Sequence, residues 1–206
     1  MSSPTPPRRR ILDAASQLFL QDGYRVSMDA VARRADVSKQ TVYAHFHNKD
    51  ALFRAAVEEM VTPLHASLDN GDGIESTLCD MAALYSRHTS DPATTALGRM
   101  LIAEAPRFPR AARQLYQCGS GAVLKRLSER IAQSMRHGEL RRDDPEQAAE
   151  LFLSMLNGMA PLRSLLGLRQ RGRKAQDSWT SHAVKVFLRA YQPRSPLTDQ
   201  PSRKSP

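Results

Sequence analysis

Side chains able to meet an anion or the edge of a base gather in one short stretch, SMDAVARRADVSKQTVYAHFHNK, from Ser27 to Lys49. Within it, Val37, Val42 and Phe46 are spaced to anchor a short helix, which leaves Lys39, Gln40, Thr41 and Tyr43 on the exposed side. The alternation of small apolar and polar residues suits a helix, a tight turn and a second short helix. Such a unit places its second helix in a DNA major groove.

Other chemistry-bearing residues point less far. His45 and His47 form an HxH pair, but a metal site needs further ligands and the sequence brings none near. Gly119-Ser120-Gly121 lacks the preceding strand and the GxSxG pattern of a nucleophile elbow; Ser120 falls between two helices, where it can cap the second. No carboxylate pair or Ser/His/Asp arrangement stands out, so an enzyme is not expected, and no cofactor or metal. Cys79 and Cys118 are too far apart for a CxxC pair and are expected as reduced thiols.

The elements that must position the polar stretch read as helices throughout. Helix 1 is expected from about Pro7 to Asp22, with Ile11, Leu12, Ala15, Leu18 and Phe19 on one face and Gly23 as its stop. Ser27, Ser38 and Asn48 each stand where a helix N-cap belongs, and Ala35-Asp36-Val37 forms the tight turn. Arg8, Arg9 and Arg10 read as a solvated helix start, or alternatively as a basic arm along phosphates. Pro63 is expected to end or kink the fourth helix. The Asn/Gly/Asp-rich run 69–73 breaks the chain. Further helices follow at about 74–88, 92–105, 109–117 and on to His137, then one long apolar helix over 145–166 and a last one over 175–191.

The chain has 206 residues, 41% of them hydrophobic, and a formal net charge of +9. Residues 1–60 hold nine basic against seven acidic side chains, so most of the excess lies outside the polar stretch. Overall charge supports attraction to polyanions without proving DNA binding. No apolar run approaches the roughly 20 residues that span a bilayer, and no apolar h-region follows the N-terminus; no membrane contact and a cytoplasmic location are expected. The organisation expected is a helix-turn-helix domain over 8–60, a helical body over 61–192 and a disordered Pro/Ser-rich tail over 193–206.

SMDAVARRADVSKQTVYAHFHNKDAL, preceded by ILDAASQLFLQDGY, resembles the N-terminal signature of TetR/AcrR-type transcriptional regulators. RMLIAEAPRFPRAARQLY, GEL and DDPEQAAELF are similar to the C-terminal domain of the AefR-like subgroup. Asp36 stands where the family usually has glycine, and Asp is among the few residues that tolerate the left-handed backbone; His47 replaces its usual Pro, Gly or Ser. The resemblance implies an all-α fold: a three-helix DNA-binding domain followed by a larger ligand-binding and dimerisation domain. It implies a homodimeric repressor, released from a double-stranded DNA operator by a small-molecule effector. The runner-up is a DNA-binding module with no such effector, controlled by a protein partner or acting architecturally.

Carried onto this sequence, the implied DNA-facing set is Ser27, Ser38, Lys39, Gln40, Thr41, Tyr43, His47 and Lys49. Lys39, Gln40 and Thr41 take groove-facing positions, where Gln pairs with adenine, Lys with guanine or phosphate, and a Thr methyl touches thymine. Ser27, Tyr43 and Lys49 are assigned to phosphates. Flexible methionines suit a pocket for varied apolar ligands, which nominates Met81, Tyr85, Met100, Phe108, Tyr116 and Met155 as lining. Leu151, Phe152, Met155, Trp179, Val186 and Phe187 are expected at the seam with a second subunit.

Overall fold

A computed structural model describes residues 5–69 and 73–193. Residues 194–206 of the expected disordered tail, and the centre of the 69–73 turn, lie outside the described residues. The described elements are α1 (Pro7–Asp22), a 3-10 turn (Gly23–Arg25), α2 (Met28–Arg34), α3 (Lys39–His45) and α4 (Lys49–Leu68). The rest are α5 (Ile74–Ser90), α6 (Pro92–Glu104), α7 (Pro109–Cys118), α8 (Ser120–Arg136), α9 (Pro145–Asn157), α10 (Ala160–Leu165) and α11 (Arg173–Ala190). No strand occurs among the described residues.

Two cores hold these helices. One gathers Ile11, Phe19, Val31, Val42, Phe46, Leu52 and Phe53 from α1–α4, together with Leu97 and Leu101 of α6 and Ala111 of α7. The other gathers Leu64, Leu78, Met81, Leu127, Ile131, Phe152 and Phe187 from α4, α5, α8, α9 and α11. α4 contributes to both: Leu52, Phe53, Ala56 and Val57 on one side, Val61, Leu64 and Leu68 on the other. The expected boundary at residue 60 therefore falls inside a continuous helix.

Three expectations are corrected. α4 does not end at Pro63 but runs on to Leu68. Pro63 is exposed, and buried Val61, Leu64 and Leu68 hold the helix down on either side of it. The long helix over 145–166 is two: α9 stops at Asn157, Gly158 turns with φ +49°, and Pro161 sits in the first turn of α10. Ser120 does not cap α8; it is the first residue of that helix, and the cap position is Gly119, with no side-chain bond.

Docking of α6 on the N-terminal core depends on a second glycine. Gly23 has φ +64°, and a Cβ there would lie 2.1 Å from the Met100 sulfur. Beside it Tyr24 packs against Phe108, with ring centroids 5.5 Å apart, and Arg25 pairs with Glu104. These contacts tie the turn after α1 to α6 and the residues that follow it.

Candidate nucleic-acid interface

Side-chain caps set the start of each helix in the polar stretch. Ser27 Oγ accepts from the Ala30 amide at 3.1 Å, Ser38 Oγ from the Thr41 amide at 3.0 Å, and Asn48 Oδ1 from the Ala51 amide at 2.8 Å. Ser38 Oγ also lies 2.8 Å from Thr41 Oγ1, which ties that hydroxyl to the cap. The turn between α2 and α3 passes through Asp36 at φ +52°, the left-handed conformation that Asp tolerates better than most residues.

α3 is anchored by Val42, fully buried, and Phe46, buried just beyond its end. Lys39, Gln40 and Tyr43 stay exposed, Tyr43 with 42% of its surface open, and Thr41 is half-buried. Ser27, Ser38 and His47 are exposed along the same stretch. Lys39 is not free: its ammonium lies 2.8 Å from Asp29 Oδ1 on α2. That hydrogen bond, with the carboxylate's charge, holds the Lys39 pKa above its ordinary value.

Lys49 opens α4, where the backbone amides point outward and the helix end carries partial positive charge. A lysine there is electrostatically unfavourable alone and favourable once a phosphate arrives. Its ammonium sits 4.2 Å above the Tyr24 ring, and burial pushes its pKa down. Tyr24 in turn donates its hydroxyl to Asp50. Tyr24 and Asp29 fall outside the DNA-facing set that the resemblance implies; no periodicity marks a residue that acts by holding another. Arg8, Arg9 and Arg10 belong to the first turn of α1: Arg8 lies over the Phe46 ring, Arg9 pairs with Asp13 and Glu59, and Arg10 is 3.9 Å from Asp36.

Residues 11–56 match the bacterial regulatory proteins of the tetR family, and residues 76–193 match the AefR-like transcriptional repressor C-terminal domain. This chain belongs to the TetR family. It is 35% identical to the flavonoid-responsive regulator FrrA, covering 92% of this chain and 98% of that one, with a TM-score of 0.69. A TetR-family regulator from Mesorhizobium loti is 26% identical, with a TM-score of 0.73 over 90% of this chain and 96% of its own. The HTH-type transcriptional regulator YvkB of Bacillus subtilis is 24% identical over 89% of this chain and 96% of its own length. The family is made up of transcriptional regulators with a DNA-binding helix-turn-helix, not of enzymes.

In this TetR-family body, the residues nominated for an effector pocket fall in different surroundings. Met81 and Tyr85 belong to the body core, where the Asn157 amide donates to the Tyr85 hydroxyl at 3.0 Å. Met100 packs on Gly23 and Phe108 on Tyr24, at the seam with the N-terminal core. Tyr116 is 62% exposed, and Met155 is half-buried in α9. Of the residues nominated for a subunit seam, Leu151 and Val186 are exposed on α9 and α11. Phe152 and Phe187 instead pack on each other inside the chain's own core, with centroids 4.9 Å apart. Trp179 and Met155 lie between, half-buried.

Proposed function

We propose that this chain is a repressor that binds a near-palindromic operator as a homodimer and is released by a small-molecule effector. One observation carries the reading: α4 begins at Lys49, beside the recognition helix α3, and ends in the core of the body. A ligand that favours one setting of the body thereby biases the placement of the DNA-facing residues, by no more than its differential affinity for the two settings. The likeness to a flavonoid-responsive regulator supports response to a small molecule. Exposed Leu151 and Val186 support pairing through α9 and α11.

In the DNA-bound dimer, Lys39, Gln40 and Thr41 face base edges, while Ser27, Ser38, Tyr43, His47 and Lys49 meet phosphates and fix register. Recognition helices about 34–36 Å apart reach successive major-groove faces. Among the described residues no helix is long and apolar enough to cross a membrane, and a regulator of this kind works in the cytoplasm. A second reading, control by a protein partner instead of a small molecule, draws on the exposed Leu162, Leu165, Leu166 and Leu168 around α10.

The test is footprinting of the purified chain on the DNA upstream of its own gene, with sedimentation of the complex. Two protected half-sites about one helical turn apart, bound by one dimer, are expected. A monomer that ignores duplex DNA even at low salt would refute the reading.

A further inference from the structure

A groove of about 890 Å³ runs between α5 and α11, on residues that neither the DNA-facing set nor the nominated pocket uses. Its volume falls in the range of small-molecule sites. Ala83, Val184 and Leu188 supply apolar lining. Gln176 on α11 donates to Ser86 on α5 at 3.1 Å, so the start of α11 lies against the end of α5. That end of the groove collects Arg87, Arg171 and Arg173. Among the described residues none of the three makes an ion pair.

Arg171 is the informative one. Its guanidinium lies 4.2 Å over the Trp179 ring. Its Nη1 is buried and has no hydrogen-bond partner. A buried donor left without an acceptor is costly, and a guanidinium fork is shaped for a carboxylate. The charge of the groove limits what can fill it. Asp91 and Asp177 share the arginine end, and Glu75 and Lys185 offset each other among the remaining lining residues, so one positive charge is left in excess. Asp91 is already occupied as the cap of α6, accepting from the Thr94 amide at 2.8 Å.

We propose that the α5–α11 groove binds an amphipathic organic monoanion, its carboxylate received by Arg171 and its apolar body laid along Ala83, Val184 and Leu188. Trp179 reaches from the Arg171 guanidinium to the carbonyls that close α9. Occupancy therefore acts on the α9–α11 pair. Any regulatory use of the site rests on the repressor reading above; occupancy itself does not.

Trp179 is the only tryptophan of the chain, so its emission reports the site. The full-length protein is titrated, without DNA, with octanoate, 1-octanol and octylammonium, followed by fluorescence and by calorimetry. Octanoate is expected to saturate at one per chain, shift the Trp179 emission and bind at least tenfold more tightly than either control. Arg171→Ala should weaken it about tenfold, Arg171→Lys less, and Arg189→Ala, outside the groove, not at all, with the thermal transition of each variant recorded to confirm folding. Equal binding of octanol, binding by Arg171→Ala within twofold of the parent, or heat without a change at Trp179 would each overturn the site. Because the titration holds no DNA, its failure leaves operator binding standing.

Discussion

The indole nitrogen of Trp179 donates to the Met155 carbonyl at 2.9 Å, and to that of Leu156 at 3.2 Å. These are carbonyls of the last turn of α9, left without intrahelical partners where Gly158 turns the chain away. A side chain from α11 thus caps a neighbouring helix. A Cβ on Gly158 would lie 2.8 Å from Trp179 Cζ2, so the ring and the turn fit each other closely.

Removing that cap should be felt in stability. Trp179→Phe keeps most of the ring and loses the donor; a cost of about 1–2 kcal/mol is expected, or a midpoint lower by roughly 2–8 °C for a domain of this size. Gly158→Ala combines a strained backbone with a clash against the ring and should cost at least about 2 kcal/mol. Thermal unfolding followed by circular dichroism measures both.

Ser38→Ala should lower stability by about 1 kcal/mol through loss of the α3 cap. It should also weaken operator binding, because the Thr41 hydroxyl loses its fixed partner. Ser38→Asn restores a capping oxygen; it should recover the melting point without recovering the Thr41 contact. Chemical denaturation and gel-shift titration separate the two effects.

Lys49→Ala should weaken binding to every DNA sequence alike and reduce the salt slope by about one. Tyr43→Phe should weaken binding across all sequences too. Gln40→Ala should instead change which operator is preferred, by about 1–3 kcal/mol at the affected base pair. Titrations at several salt concentrations on a panel of operators distinguish these patterns; a Lys49→Ala protein with an unchanged slope would remove the phosphate assignment.

On the proposed reading, in which Lys39 meets DNA, its ion pair with Asp29 holds the ammonium that the DNA would take. Asp29→Asn should therefore free Lys39, raise affinity for non-specific duplex and steepen the salt dependence by about one charge. The Lys39 pKa is raised by Asp29, so the lysine is charged at neutral pH in both proteins and no pH dependence is expected near 7.

Much of the N-terminal unit was legible because its boundaries rest on local chemistry. Ser27, Ser38 and Asn48 cap through their own side chains, and Asp36 takes the left-handed turn, so short-range rules suffice. The body was harder for a physical reason. The apolar pattern runs on through Met155, Leu156, Met159 and Leu162, and hides the break at Gly158, which is set by the distant Trp179. Periodicity marked Phe152 and Phe187 as apolar but not whether they face another subunit or each other. In the same way, Met81 and Met100 look alike in sequence, yet Met81 is buried in the body core and Met100 lies half-buried against Gly23, because tertiary packing, not spacing, assigns them.

His88, near the end of α5, is partly buried, and that burial lowers its pKa below the ordinary 6.5, with Asp91 opposing the shift. The unfolded chain then takes up a proton at a higher pH than the folded one. The stability this group contributes is complete above about pH 6.5 and is lost as pH falls toward the folded pKa. The melting temperature should drop on acidification from pH 7.5 to 5.5, and His88→Gln should flatten part of that drop.

Sharing α4 between two cores has a practical consequence for dissecting the molecule. A fragment cut after residue 68 would keep α1–α4 but forfeit Leu97, Leu101 and Ala111, which fill the N-terminal core from α6 and α7. It would bare the part of the N-terminal core that those residues complete. The DNA-binding headpiece is thus no detachable module: its interior is completed by chain made some thirty residues later, and severing the two would leave a sticky, half-built remnant.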